Sequence, residues 1–421
     1  MNMYRIIIIG FILFSFLLNL VVERLNLGRM QTSLPDEFSG WYNNKKYKKA
    51  QMYLRETTRL SLLTHAVVTT LTIAFILAGG FNLADTAVRS LGLGTILTGL
   101  LYTGLLLAAS GLLHLPFSAY ATFGIEARYG FNTTTFKTFI ADILKLSLLT
   151  VVLGGPLLGL LLWFFEYAGP HAWLYCWACL CAFQLVLHYA TPVIIMPLFN
   201  KFTPVPDGKL KETIAAYARS QNFTIQGLLT MDGSKRSSKS NAFFSGIGRF
   251  RRVVLFDTLI AKHNVAEVLA IVAHEIGHYK KKHLLKQICM SWAVSGLMLF
   301  ILSVFLKNPS LFAAFNMEHI SIYASLVFFG FLYAPIDMLL SIAANALSRR
   351  NEYEADRFAA ATSGAPEAMI SALKKLSIDN LANLTPHPLK VMLSYSHPPV
   401  LKRIQALKKH APDSATAALQ C

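Results

Sequence analysis

The sequence predicts an all-α multi-span membrane protein of seven transmembrane helices, with a polar domain that carries a small β-hairpin or sheet. Three observations lead to that class. The 421 residues are 54% hydrophobic and only 14% charged, where a soluble domain carries about 25% charge, and mean hydropathy is +0.47. Seven stretches are apolar and long enough to cross a hydrocarbon core of about 30 Å. One long polar stretch, 197–286, separates the fifth from the sixth. An ordinary soluble enzyme and a disordered chain, which needs low hydrophobicity, are both excluded.

The expected spans are 6–22, 60–83, 94–117, 141–165, 172–196, 287–307 and 320–346. The first is followed by Val-Val-Glu-Arg-Leu-Asn, without a small-residue cleavage site, and so reads as a retained span rather than a signal peptide. Net charge is +17. In a soluble protein that would point to nucleic acid, but the placement of the charges gives another cause. Of 39 Lys and Arg, 35 fall in four regions, 23–59, 118–140, 197–286 and 347–421, which share one side if all seven segments span. Arg5, Arg89 and Lys307 are on the other side and Lys145 is within the fourth span. Basic loops stay in the cytosol, so the long polar segment and the C-terminus are expected there, in a bacterial inner membrane or an endoplasmic reticulum membrane. No nucleic acid is needed. Lys45-Lys-Tyr-Lys-Lys49 serves as a topology determinant or binds anionic membrane lipid.

Within 197–286 the pattern predicts an amphipathic helix at 209–221 and two short strands, Asn241-Ala-Phe-Phe244 and Val253-Val-Leu-Phe256, joined through Gly246-Ile-Gly248. Asn264 and Glu267 are spaced to cap a helix starting near 265. Of the five cysteines, Cys176, Cys179 and Cys181 sit in an apolar run and read as small buried residues, not as a metal site. His65, His114 and His188 lie within spans, where a cavity lining and a packing hydrogen bond fit equally well.

The chemistry is carried by His274-Glu275-Ile-Gly-His278. Histidines at i and i+4 share a helix face and can meet one metal ion. Glu275 is then placed to act as general base on a water at that ion. A catalytic zinc needs a third protein ligand and an open position. A third histidine six residues on is absent, since that position is Leu284 and His283 is out of register. The third ligand must come from elsewhere, and the candidate segment is Ser348-Arg-Arg-Asn-Glu352-Tyr-Glu-Ala-Asp356. From His278 to 307 is 29 residues and from 320 to Glu352 is 32. Two antiparallel helices thus return the acids to the level of His278 within about 5 Å. Arg349, Glu352 and Asp356 share a face and Glu354 points elsewhere. One acid can bind metal while the other orients a ligand histidine.

Along most of its length the sequence resembles the type 1 CAAX prenyl proteases, integral-membrane zinc metalloproteases. The shared pieces are Tyr129-Gly-Phe-Asn132, Pro197-Leu-Phe-Asn-Lys-Phe-Thr-Pro204, Asp232-Gly-Ser-Lys-Arg-Ser-Ser-Lys-Ser-Asn-Ala-Phe-Phe244, the metal motif, Ser348–Asp356 and Ser396-His-Pro-Pro399, in that order. Lys239 departs from the histidine frequent at its position. The resemblance implies that Glu352 is the third zinc ligand and Asp356 its neighbour behind a ligand histidine. His397 and Arg403 are implied beside the substrate and its reacting carbonyl, and Asn241 and Ala242 on an edge strand along which the substrate lies. It also implies a large helical chamber and substrates whose C-terminal CAAX cysteine is prenylated, cleaved after that cysteine.

The expected protein is therefore a seven-span protease with a cytosolic zinc-protease domain and one zinc per chain. Its layout is five N-terminal spans in 1–196, the metalloprotease segment 197–286, two spans in 287–346 and a C-terminal segment 347–421. The rivals are a quality-control protease of membrane proteins of the HtpX type, and an inactive membrane scaffold, against which the intact His274, Glu275, His278 and Glu352 argue.

Overall fold

The computed structural model describes residues 2–31, 33–245 and 252–410. The expected turn through Gly246 and Gly248 and the terminal Cys421 lie outside the described residues. Among the described residues, seven helices are long and apolar enough to cross a membrane: Met3–Gly28, Asn44–Leu77, Thr95–Tyr129, Phe136–Tyr167, Gly169–Phe199, His283–Phe305 and Ile322–Ser363. They match the seven expected spans but are mostly longer. Hydropathy marks where a helix leaves lipid, and charge alone does not end it. The second helix starts at Asn44, where the Asn43 side chain accepts from the Lys46 N–H at 2.7 Å, and runs through its lysines before becoming apolar. It ends earlier than expected, at Gly79 with φ +71°, and the short helix Gly80–Arg89 follows. The seventh is 42 residues long and runs on past position 346 to Ser363 without a break. The third, fourth and fifth each contain a π-helical stretch, at Tyr120–Glu126, Thr150–Gly154 and Thr191–Ile195.

Each span touches its neighbours in sequence, and the seventh returns to the first, closing a ring. Burial along the helices is confined to their ends. The first span buries Ile8 and then nothing until Val22. The second buries Thr58 and then Ile76. The third buries Tyr102 and then Ile125, and the seventh buries Tyr333 and then Asn351. Helices in a solid bundle would bury an inner face at mid-length as well. The spans instead form a cage, packed at both ends and hollow between. Its far end is a core of Ile8, Ile76, Phe81, Tyr102, Leu162, Phe312, Tyr323 and Phe328. His65 and His114 face the same cavity of about 500 Å³ at mid-span, and His65 Nδ1 lies 3.2 Å from Asn19 Nδ2. Both readings hold for His65, while His114 lines the cavity and its Nδ1 lies 2.9 Å from the Ser110 carbonyl of its own helix.

The near end carries all four basic regions and the polar domain. Here the strands are β1 Phe202–Pro204, β2 Gly227–Met231, β3 Ala242–Ser245 and β4 Arg252–Phe256, in the order β1-β2-β4-β3. The expected pair is present as antiparallel β3 and β4, with Ala242 opposite Leu255. Asn241 falls just before β3, though its carbonyl still accepts from the Phe256 N–H at 3.1 Å. β1 and β2 were not expected: each is short, and β1 ends in Pro204. The expected helix at 209–221 is Lys209–Ser220.

Candidate functional site

The metal-motif helix is Val265–Lys280. Its start is the capping box expected from Asn264 and Glu267, with bonds of 2.9 and 3.0 Å. It packs across the polar extension of the seventh helix, and Gly277 sets the approach. A Cβ at Gly277 would lie 3.1 Å from Phe358 Cδ1 and 3.2 Å from both Cα and O of Ala355. Only a glycine lets the backbones come this near, and the closeness brings the ligands of both helices together.

Three side chains converge. His274 Nε2 lies 3.1 Å from His278 Nε2 and 3.5 Å from Glu352 Oε2. His278 Nε2 lies 3.2 Å from Glu352 Oε1. Each offers one ligand atom, all within 4.8 Å of one another, and together they can hold a metal ion. A tetrahedral zinc with ligands at about 2.0–2.1 Å has ligand–ligand edges of about 3.3 Å, so the spacing fits. The atoms are also left wanting a partner. Glu352 is 4% exposed, yet its Oε2 accepts no well-formed hydrogen bond. A buried carboxylate needs positive partners; the Arg403 guanidinium supplies one at 3.3 Å from this oxygen, and a metal ion at the cluster would supply another.

Asp356 Oδ1 lies 2.9 Å from His274 Nδ1. Arg403 grips Asp356 with Nε at 2.8 Å and Nη2 at 2.6 Å, and its Nη1 lies 3.3 Å from Glu352 Oε2. Burial works against a charged His274, but the carboxylates of Asp356 and Glu352 outweigh it and raise its pKa to about 9. Burial likewise opposes the Arg403 charge, and Asp356 beside it raises its pKa nonetheless.

These groups line one cleft of about 480 Å³. The cleft takes in Asn241, Ala242, His274, Glu275, His278, Glu352, His397 and Arg403, eight of the nine expected site residues. The ninth, Asp356, is 2% exposed and sits behind His274. His397, two-thirds exposed at its side chain, places Nε2 3.4 Å from Glu352 Oε1. β3 is the edge strand beside the metal-motif helix. The apolar part of the lining is Leu259, Ile271, Met369, Leu373 and Leu376.

Arg349 shares the helix face of Glu352 by spacing, but it does not reach the cluster. Its Nη1 donates to the carbonyls of Val391 at 3.1 Å and Tyr395 at 2.7 Å, which ties down the segment that carries His397. Two residues set aside in sequence reasoning, His283 and Glu354, contact the site from outside. His283 is too far along the chain to share the helix face of His278. Only a backbone reversal at Lys282 (φ 57°, ψ 32°) brings it back, and a lysine does not announce such a turn.

Comparison with known proteins agrees with this architecture. The profile described as CAAX prenyl protease N-terminal, five membrane helices, matches residues 23–201, and that of peptidase family M48 matches 204–411. The chain is 33% identical to CAAX prenyl protease 1 homolog of Arabidopsis thaliana, over 95% of this chain and 96% of that protein. It is 33% identical to the Homo sapiens homolog, over 90% and 89%. A crystal structure of S. mikatae Ste24p superposes with a TM-score of 0.92 at 30% identity, covering 96% of this chain and 99% of that one. Fold and sequence together define a membrane-embedded protease. The chain belongs to the CAAX prenyl protease 1 family, within peptidase family M48.

Proposed function

We propose that this protein is a zinc metalloendopeptidase that removes the C-terminal tripeptide of prenylated CAAX proteins on the cytosolic face of its membrane. The observation that carries the reading is the convergence of His274, His278 and Glu352 in a cleft that also holds Glu275. The relatives' name, CAAX prenyl protease 1, supports the substrate class. The basic regions support the sidedness, since the site lies at the end of the cage that carries 35 of the 39 Lys and Arg.

In this reading His274 and His278, through Nε2, and Glu352 would hold one Zn²⁺, with Asp356 orienting His274. The ion supplies, when bound, Lewis-acid polarisation of the scissile carbonyl and a water acidic enough to react near neutral pH. Glu275 takes the proton from the attacking water and passes it to the leaving amine. The substrate backbone adds to β3 as a further strand, beginning at Asn241 and Ala242. His397, exposed at the cleft edge, turns Nε2 toward the developing oxyanion. Arg403 has given two of its nitrogens to Asp356, so it holds the Asp356–His274 pair in place and has only Nη1 left for the substrate side. By this layout residues 1–196 and 287–346 build the cage, and 197–286 with 347–421 build the catalytic end.

The test is incubation of the purified protein with a farnesylated CAAX peptide and its unprenylated twin, with metal content measured alongside. Release of a tripeptide from the first peptide, abolished by a chelator and restored by zinc, is the expected result. Equal cleavage of both peptides at unrelated bonds would favour a quality-control protease, and zinc without hydrolysis would favour a scaffold.

A further inference from the structure

His283 begins the sixth span on the far side of the metal cluster from Asp356. It is 1% exposed. Its Nδ1 lies 3.0 Å from His278 Nδ1, and its Nε2 lies 3.2 Å from Glu354 Oε2. Glu354 Oε1 in turn accepts from Arg350 Nε at 3.2 Å. The His278 and His283 rings stand edge to face, with centroids 5.0 Å apart and planes at 75°.

With a metal on His278 Nε2, these distances admit one arrangement of protons. His278 turns Nε2 toward His274 and Glu352, so a metal held there takes the Nε2 lone pair and the ring proton sits on Nδ1. That proton is donated to His283 Nδ1, since two nitrogens 3.0 Å apart need one donor and one acceptor. His283 then carries its own proton on Nε2 and donates it to the Glu354 carboxylate. The result is a one-directional line from His278 through His283 to Glu354, with Arg350 holding the last member. Metal-bound histidines are commonly oriented by a carboxylate or carbonyl on the other ring nitrogen. Here a second imidazole stands between the ligand and its carboxylate.

We infer that His283 is a positioning residue of the metal centre, which with Glu354 sets the tautomer and ring plane of His278. The two ligand histidines are thus held from opposite sides by different means: His274 by Asp356 and Arg403, His278 by His283 and Glu354. The inference rests on the zinc reading of the His274, His278 and Glu352 cluster.

The test uses the full-length protein in detergent, stripped of metal and reloaded. Zinc affinity is read by chelator competition, and ligand geometry by the visible spectrum of the Co²⁺ form. His283→Leu is expected to weaken zinc by about 10–100-fold and to change the Co²⁺ spectrum. His283→Asn, whose amide oxygen takes the place of the Nδ1 acceptor, should recover most of the affinity, which a merely space-filling role would not predict. Glu354→Gln should lower affinity in the same direction by less, and it carries the test if His283→Leu does not fold. Wild-type competition and an unchanged Co²⁺ spectrum in His283→Leu, or in Glu354→Gln where the leucine variant is lost, would overturn the inference. His274→Ala is the control: full metal affinity in that variant would overturn the zinc reading itself.

Discussion

Gly277→Ala is the smallest change that should disable this protein without unfolding it. The added Cβ would sit 3.1–3.2 Å from Phe358 Cδ1 and from Cα and O of Ala355. Carbon atoms in contact prefer about 3.5–4.0 Å, so the two helices must separate by roughly 0.5 Å. Overpacking of this kind costs about 1–3 kcal/mol, while replacing glycine by alanine inside a helix returns about 1 kcal/mol. The net effect on stability is small, about 0–2 kcal/mol by those terms. The effect on the site is not small. His278 follows Gly277 directly, and Glu352 lies one turn before Ala355, so the separation falls on ligand pairs now 3.2 and 3.5 Å apart. Catalytic groups must hold within about 0.5 Å of their working positions, and a displacement near 1 Å can cost about 10²-fold in rate. The assay compares thermal unfolding, zinc competition and cleavage of a farnesylated peptide. The expected variant melts near the wild type, binds zinc more weakly and cleaves about 10–10²-fold more slowly. Wild-type zinc affinity and rate would refute the claim that the Gly277–Ala355 crossing sets the ligand geometry.

Glu275→Gln should keep zinc and fold yet lose about 10²–10⁴-fold in hydrolysis, whereas His397→Ala should slow turnover with zinc retained; rate beside metal content separates the two. Glu352→Ala should lose zinc outright, while Asp356→Ala should weaken it by about 10–100-fold; the reverse order in metal analysis would exchange their roles. Single cysteines replacing Lys209 and Lys409 should label from the cytosolic face and one at Lys307 from the other, and labelling of Lys209 and Lys307 positions from one side would break the topology. Glu267 pairs with Lys375, accepts from Ser371 and closes the helix cap. Burial raises its carboxyl pKa, but these partners outweigh it and hold the value below the ordinary range. Its stabilisation is therefore present above the ordinary carboxyl pKa and is lost as pH falls through the lower folded value. Unfolding followed from neutral to acid pH should show that loss, and Glu267→Gln should flatten it.

Much of the fold and the site could be read from residue order, for definable reasons. Lipid imposes about 20 apolar residues per crossing, so seven runs and the basic split were visible without coordinates. The i, i+4 histidines and the equal arms of the sixth and seventh helices brought the acids of 348–356 to the level of His278, because helical rise is constant, and the family resemblance singled out Glu352 among them. What escaped depends on tertiary partners. β1 and β2 are too short to show a period: β2 forms against β4, and β1 against β2. The π-helical stretches leave no mark in hydropathy. The reversal at Lys282 has no glycine to signal it, and so His283 and Glu354 were set aside. Arg349 shared the right helix face, yet the carbonyls of Val391 and Tyr395 claimed it.

The packed ends and hollow middle of the cage have one further consequence. From Ile8 to Val22, or from Tyr333 to Asn351, a wall helix runs about 20–27 Å with no fully buried residue, although Ile12, Ile336 and Leu340 still pack against the far-end core. Cohesion is concentrated in two hoops, and the inner lining between them is only partly packed. A residue on that lining can change size or polarity without loosening either hoop, so the character of the enclosed space and the strength of its walls can vary independently. Asn19, His65 and His114 are polar groups of the kind such a lining admits and a solid bundle would exclude.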